Sequence, residues 1–506
     1  MLFNSYEFLI FLPCVLLLYR LSARCLSLQN VLLVLASYVF YAWWDVRCLS
    51  LILGMTALGF AGGCLLEVTR RQPRLERAVC IATVVLCVGV LGWFKYYGFF
   101  ADNFARLLHT LGFRSDLPTL RIVLPVGISF YTFQILSYVV DVYRRKIPAC
   151  RDAVAFAAFV CFFPQLVAGP IEKAQHLLPQ MQASRSVGYA QFVDGLRLLL
   201  WGLVKKMLLA DRVAPVVQAI YANPQSDGTD LIMGTMLFAF QIYGDFSGYS
   251  DIAVGTARLF GIRLSRNFAL PYFATDIPTF WRRWHTSLME WFREYVYFPL
   301  GGSRCSRLRQ LRNTFVVFTL SGLWHGAAWT FVAWGVFHAC CFVPHILSRN
   351  SRGAHGAAVV HRQQRVTASI GRLVRMLCTF LKSAISRQGK AKKVLLYSFG
   401  LTKSFSLVCI GWVFFRSESL TAAFCHLGRM VTDLHFHTPY GGLSTLYPVV
   451  FVVGVEWLTR HRAHALDLPQ IGPLRYRCVR WTIYYALLFA TFYWGGTQSA
   501  FIYFQF

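Results

Sequence analysis

Apolar runs long enough to cross about 30 Å of hydrocarbon at 1.5 Å per residue recur from one end of this 506-residue chain to the other. Short polar or basic intervals separate them, and about ten to twelve such runs can be counted. The pattern predicts an all-α polytopic membrane protein with additional interfacial or re-entrant helices. The first run, MLFNSYEFLIFLPCVLLLYR, has no basic segment before it and no small-residue cleavage site after it, so it reads as a membrane helix rather than a signal peptide.

Charge in the intervals alternates along the first five runs. Arg20 and Arg24 follow the first, the turn from Asp45 to Arg47 is nearly neutral, and Arg70, Arg71, Arg74 and Arg77 follow the third. The fourth run ends near Trp93 and Tyr97, and the fifth, from Ile122 to Val140, returns to a basic Tyr143–Lys146 loop. By the positive-inside rule the N-terminus is expected outside. Later the regularity weakens. Leu166–Lys173 (LVAGPIEK) and the run from Leu231 to Phe260 carry glycine, proline and carboxylates at membrane depth, which predicts broken or tilted helices buried in protein or lining a wet cavity. From Arg349 to Lys393 there are eleven Lys or Arg and no acidic residue, with weak periodicity. This segment is expected as a basic cytoplasmic loop, either touching anionic lipid headgroups or simply solvated. There is no internal repeat and no soluble catalytic domain, so residues 1–506 are expected to form one membrane unit.

Composition agrees with this pattern: 56% of residues are apolar and 14% charged, against about a quarter charged in a soluble domain. A formal charge of +28 would suggest nucleic acid in a soluble protein. Here the basic residues sit in the short intervals, as cytoplasmic loops do, and no nucleic-acid partner is expected. The fifteen cysteines lie mostly in apolar stretches without a Cys-x-x-Cys pair and read as small buried hydrophobes.

Three segments carry candidate chemistry. Between Arg312 and Arg349 there is no Lys, Arg, Asp or Glu, yet Thr314–Cys341 (TFVVFTLSGLWHGAAWTFVAWGVFHACC) holds His325 and His338. A histidine this deep needs a partner or a task, and a neutral imidazole can serve as a general base. Gly322 and Gly326 flank His325 at a small-xxx-small spacing that admits a second helix or a ligand. His338, thirteen residues on, reads as a tolerated polar residue near a helix end. Pro278–Arg304 (PTFWRRWHTSLMEWFREYVYFPLGGSR) places Trp281, Trp284, Leu288, Trp291, Phe292 and Tyr295 at helical spacing, which predicts an amphipathic helix at the membrane surface. His285 falls on its apolar stripe, either gripping a substrate and stabilising charge or merely packing among tryptophans. Gln241–Ala253 (QIYGDFSGYSDIA) buries Asp245 and Asp251, which must be paired, hydrated or protonated. They could orient a histidine, line a polar path, or form a hydrogen-bonded structural knot.

Taken in order, FWRRWHTSLMEWFREYVYFPLGG, SGLWHGAAWTFVAWG, QIYGDFSGYSDIA, LPVGISFYTFQILSYVVDVYR, LVAGPI and the terminal FIYFQF resemble the bacterial branch of the membrane-bound O-acyltransferase family. The matching segments span the chain except for residues 349–393. The resemblance implies a ring of helices around a central channel in the bacterial inner membrane. It implies His325 as catalytic residue and His285 at a second site position, where many relatives carry asparagine, with Trp324, Gly326, Asp245 and Asp251 lining the site. The donor it implies is acetyl coenzyme A, with no permanently bound cofactor and no metal. The acceptor is a hydroxyl of an extracytoplasmic polysaccharide such as alginate, reached directly or through a periplasmic acetyltransferase partner. D-alanylation of teichoic acid is the other substrate choice within the family. A transporter or flippase using Asp245 and Asp251 as coupling groups is the alternative of a different class. A metalloenzyme is disfavoured, since no His-Glu-x-x-His is present and His325 and His338 are badly spaced for one ion.

Overall fold

A computed structural model describes residues 1–113, 124–167, 169–348 and 373–502, except positions 436, 439, 470, 498 and 500, and for 373–393 the backbone alone. Helices account for the regular structure throughout, and there is no strand among the described residues. Of the expected basic loop, residues 349–372 lie outside the described set. The remainder, 373–393, is the first half of a helix rather than loop. Ile122, Ala168 and the last four residues of FIYFQF likewise fall outside it.

The first five helices are α1 (Tyr6–Leu21), α2 (Leu26–Ala42), α3 (Arg47–Val68), α4 (Pro73–Thr110) and α5 (Ile128–Tyr143). Their ends follow local chemistry. Ser5 caps α1 by accepting the Phe8 amide at 3.3 Å, and Pro73 opens α4 where its missing N–H costs nothing. Short helices follow, α6 (Ala153–Cys161), α7 (Phe163–Leu166) and α8 (Ala174–Gln182). Asp152 caps α6 through the Val154 and Ala155 amides at 2.9 and 3.0 Å. Next, α9 (Tyr189–Leu203) runs through a wide π turn, Val204–Ala210, into α10 (Asp211–Ala222).

Helix α11 (Gly228–Leu259) is continuous for 32 residues, so of the broken or tilted helix expected there the break is absent, while the expected burial in protein is present. Its glycines serve close approach instead. A Cβ on Gly248 would sit 2.8 Å from the Gly202 carbonyl oxygen, and one on Gly255 would sit 2.7 Å from that of Gly195. Two facing glycine pairs therefore let α9 and α11 pack backbone to backbone, as small residues do between membrane helices.

The remaining elements are α12 (Ile277–Trp281), α13 (Thr286–Phe292), α14 (Arg307–His325), α15 (Trp329–Ser348), α16 (Leu373–Arg416), α17 (Leu420–Thr432), α18 (Tyr447–Leu458) and α19 (Arg477–Tyr493). Thr314–Cys341 is thus an antiparallel pair, α14 and α15, that turns at Gly326–Ala328. Glycine again sets the distance: a Cβ on Gly322 would strike the Phe331 carbonyl oxygen, and one on Gly335 that of Phe318. Of the two guests that Gly322 could admit, the structure shows a helix.

Among the described residues, four helices are long and apolar enough to cross a membrane by length and composition: Arg47–Arg71, Pro73–Thr110, Trp329–Ser348 and Val394–Arg416. Their outer faces are apolar. Leu53, Val85, Leu86, Val88, Trp93 and Phe399 are exposed. In water such faces would be a liability, whereas in lipid they are the solvated surface. By contrast α5 is buried nearly all round, and so is most of α11. Those two helices form the walls against which the chemistry-bearing segments pack.

Candidate active site

The Pro278–Arg304 stretch is not one surface helix. It breaks at His285, whose backbone lies in the left-handed region (φ 45°, ψ 53°) between α12 and α13. Its tryptophans face inward: Trp281, Trp284 and Trp291 are buried, and so are Leu288 and Phe292. Trp291 stacks on Phe133 of α5 at 3.8 Å between ring centroids, Trp281 meets Trp334 of α15 at 5.5 Å, and Trp284 meets Trp412 of α16 at 5.0 Å. Helical spacing correctly marked which residues are apolar partners. It could not tell a membrane surface from a protein interior, because both bury the same stripe.

Breaking the helix at His285 turns its ring toward α11 and α14. The imidazole packs edge-on against Phe246 at 4.7 Å, and its centroid lies 5.6 Å from Trp324 and 6.5 Å from His325. Neither ring nitrogen of His285 has a hydrogen-bond partner among the described residues. The left-handed backbone has a consequence for substitution. Asparagine tolerates it well among non-glycine residues. His285→Asn is therefore expected to fold as the wild type does. His285→Val is expected to lose about 1–2 kcal/mol, which thermal unfolding in detergent measures; equal stability of the two variants would refute the backbone argument.

His325 is the last residue of α14, 5% exposed, and Gly326 follows it in extended conformation. Its ring lies 4.9 Å from Trp324, 5.0 Å from Trp334 and 5.4 Å from Phe415. A Cβ on Gly326 would collide with the Phe331 ring, so glycine there lets α15 close over the histidine. The sequence thus placed His325 and His285 forty positions apart, and the fold brings their rings to 6.5 Å, tilted to one another, with Trp324 packed beside both. Around them the indole N–H groups of Trp281, Trp324 and Trp334 and the Ser321 hydroxyl are buried and unpartnered among the described residues. Buried polar groups are nearly always paired in proteins, so these groups are available to the polar atoms of a bound molecule.

His338 is not near a helix end. It sits at mid-length in α15, fully buried, with Trp334 between it and His325 and Gly411 of α16 against its Nε2.

Asp245 and Asp251 do not reach the histidines. Asp245 takes Lys206 at 2.7 Å and the Ile502 amide at 2.7 Å, and Lys206 also holds Asp211 at 2.8 Å. Ser499 joins them, accepting from Lys206 through its carbonyl oxygen at 3.1 Å and donating its hydroxyl to Asp211. Of the alternatives for these carboxylates, Asp245 is a structural knot tying the π turn, α11 and the C-terminal tail. Asp251 pairs with Lys205 at 2.7 Å and faces a cavity shared with Arg258, Arg266, Asn267, Phe268 and Arg462. Phe268 and Phe246, 5.0 Å apart, separate that cavity from His285.

Sequence reasoning missed Lys95, Lys205 and Lys206. Lys95 lies between Trp93 and Tyr97, where the fourth run is expected to end, although α4 continues to Thr110. Each is an ionisable residue inside an apolar run, the signal that could have found them.

Residues 141–386 match the family model of MBOAT, membrane-bound O-acyltransferase family. The chain is 37% identical over 424 residues to the "Probable alginate O-acetylase AlgI" of Pseudomonas aeruginosa, covering 84% of this chain and 73% of that protein. It is 29% identical over 528 residues to the peptidoglycan O-acetyltransferase of Helicobacter pylori, covering 94% and 91%. Over 231 residues it is 27% identical to the teichoic acid D-alanyltransferase of Bacillus subtilis, covering 42% and 57%.

Proposed function

This chain belongs to the membrane-bound O-acyltransferase family, and from that premise we propose that it moves acetyl from acetyl coenzyme A, supplied in the cytoplasm, toward hydroxyls of an extracytoplasmic polysaccharide, with His325 as general base. The observation that carries the reading is the cluster in which His325, at the end of α14, lies 6.5 Å from His285, with Trp324 beside both, among buried donors that no described residue engages. The first relatives above act, by name, on alginate and peptidoglycan, both acetylated at hydroxyls, which supports acetyl over D-alanyl. Alginate is the acceptor favoured, and a separate periplasmic acetyltransferase the relay partner. The inner membrane of a bacterium is the corresponding location.

In the proposed reaction His325 takes the proton of an acceptor hydroxyl as its oxygen bonds to the thioester carbonyl carbon. The tetrahedral intermediate then expels the coenzyme A thiolate, which collects the proton from His325. The Gly326 amide already closes the last turn of α14 on the Gly322 carbonyl at 3.3 Å. His285 is then the better placed group to donate to the oxyanion. General-base help contributes about 10²–10⁴ in rate, and loss of an oxyanion donor costs about 10²–10³. Arg258, Arg266 and Arg462 at the cavity behind Phe268 suit the phosphates of the donor, one aromatic layer from His285.

Reconstituted vesicles given acetyl-labelled coenzyme A on one face and polysaccharide on the other test the reading. Label covalently bound to acceptor hydroxyls, dependent on the protein, is expected. Label that crosses without becoming bonded would support a transporter instead.

A further inference from the structure

An α-helix leaves its last four carbonyls without intrahelical partners. In α14 the first of these, on Gly322, accepts the Gly326 amide, so Leu323, Trp324 and His325 remain. All three are met by two consecutive residues of α4. The Tyr96 hydroxyl donates to the Leu323 carbonyl at 2.8 Å. The Lys95 ammonium donates to the Trp324 carbonyl and lies 3.4 Å from that of His325 and 3.5 Å from the Ser129 hydroxyl. It also stands over the Trp324 ring at 5.7 Å. More than two hundred residues separate donor from acceptor in each case.

A lysine within an apolar span is costly and calls for a task. The task visible here is at the negative end of the α14 dipole, where a cation is favourable. It also bears on the chemistry, because the clasped peptide units carry His325 itself and the indole that packs against both imidazoles. Beyond His325 the chain leaves the helix at once, so no further turn holds the imidazole. We propose that Lys95 and Tyr96 are positioning residues, acting through the end of α14 to set the height and rotation of the His325 ring. The role in transfer rests on the catalytic reading of His325, whereas the clasp itself does not.

Two readouts separate these. Hydrogen exchange of the Gly322–Ala328 amides reports the clasp without any chemistry. Lys95→Met is expected to raise exchange there about tenfold or more, Tyr96→Phe to raise it less, and Lys95→Arg to leave it near wild type. Kinetics with acetyl coenzyme A and polysaccharide report the consequence. A small misplacement of a catalytic group costs about 10²-fold, so Lys95→Met is expected to lower kcat by about that factor while KM for acetyl coenzyme A stays within about threefold. Lys95→Arg should recover most of the loss.

Unchanged exchange in Lys95→Met overturns the clasp. Raised exchange with unchanged kcat, or a loss confined to KM, overturns the positioning role. If Lys95→Met does not insert, Tyr96→Phe decides by the same two measurements. His325→Ala serves as the control: transfer that survives it removes the catalytic reading, while the exchange result still decides the clasp.

Discussion

Transfer by the His325→Gln variant is expected to fall by about 10²–10⁴-fold in kcat, the usual worth of a general base, with insertion and thermal unfolding close to wild type. Glutamine has comparable reach and polarity but no basic nitrogen. The ring it replaces is held by packing against Trp324, Trp334 and Phe415, contacts that a side chain of similar volume keeps in large part. A folding defect would therefore be small, and the activity loss would read out proton transfer. KM for acetyl coenzyme A should change little, since an interaction made only in the transition state lowers kcat and kcat/KM together. The comparison with His285 sharpens the test. His285→Asn keeps an N–H that can donate to an oxyanion on a backbone that asparagine accepts, so its loss is expected to be about tenfold or less, well below the cost of deleting such a donor. Full activity in His325→Gln, or a larger loss in His285→Asn than in His325→Gln, would reverse the assignment of roles.

The second large effect concerns folding. Lys206→Met is expected to destabilise the protein by about 3–5 kcal/mol, as breaking one side of a buried ionic group does. Lys206, Asp211 and Asp245 are all essentially inaccessible, and the ammonium lies between the two carboxylates at 2.8 and 2.7 Å. Its removal leaves two buried acids facing one another. Asp245→Asn should cost less, since Lys206 and Asp211 remain paired and the amide can still accept from Ile502. Replacing all three by Met, Asn and Asn should recover part of the single-lysine loss, because the charges then disappear together. Reversible unfolding in mixed micelles measures the order. Lys206→Met within 1 kcal/mol of wild type would show that the group is hydrated rather than a buried knot.

The knot also shows why a membrane-embedded carboxylate is an incomplete functional signal. Asp245 precedes Phe246, whose ring packs on His285, so an Asp close to the site in sequence looks like a member of it. On a helix, adjacent residues point about 100° apart, and here that angle separates the aromatic that touches the histidine from the acid that faces Lys206.

What the sequence determined alone was everything set by local pattern. Apolar length and sparse charge specify an all-helical membrane protein, and a histidine in a charge-free run specifies that His325 is buried. Two aspartates in an apolar run specify that partners must exist. The family motifs added the expectation that His325 and His285 share one site. What tertiary structure decided was every relation between distant segments: the left-handed break at His285, the turn after His325, the approach of the two imidazoles, the pairing of Asp245 with Lys206, and the clasp of α14 by Lys95 and Tyr96. The physical reason is that hydrophobic periodicity records how much of a side chain leaves the solvent, and says nothing about which neighbour replaces it. A stripe of tryptophans buried in lipid and one buried against α5, α15 and α16 have the same spacing, and only the packing of the other helices selects between them.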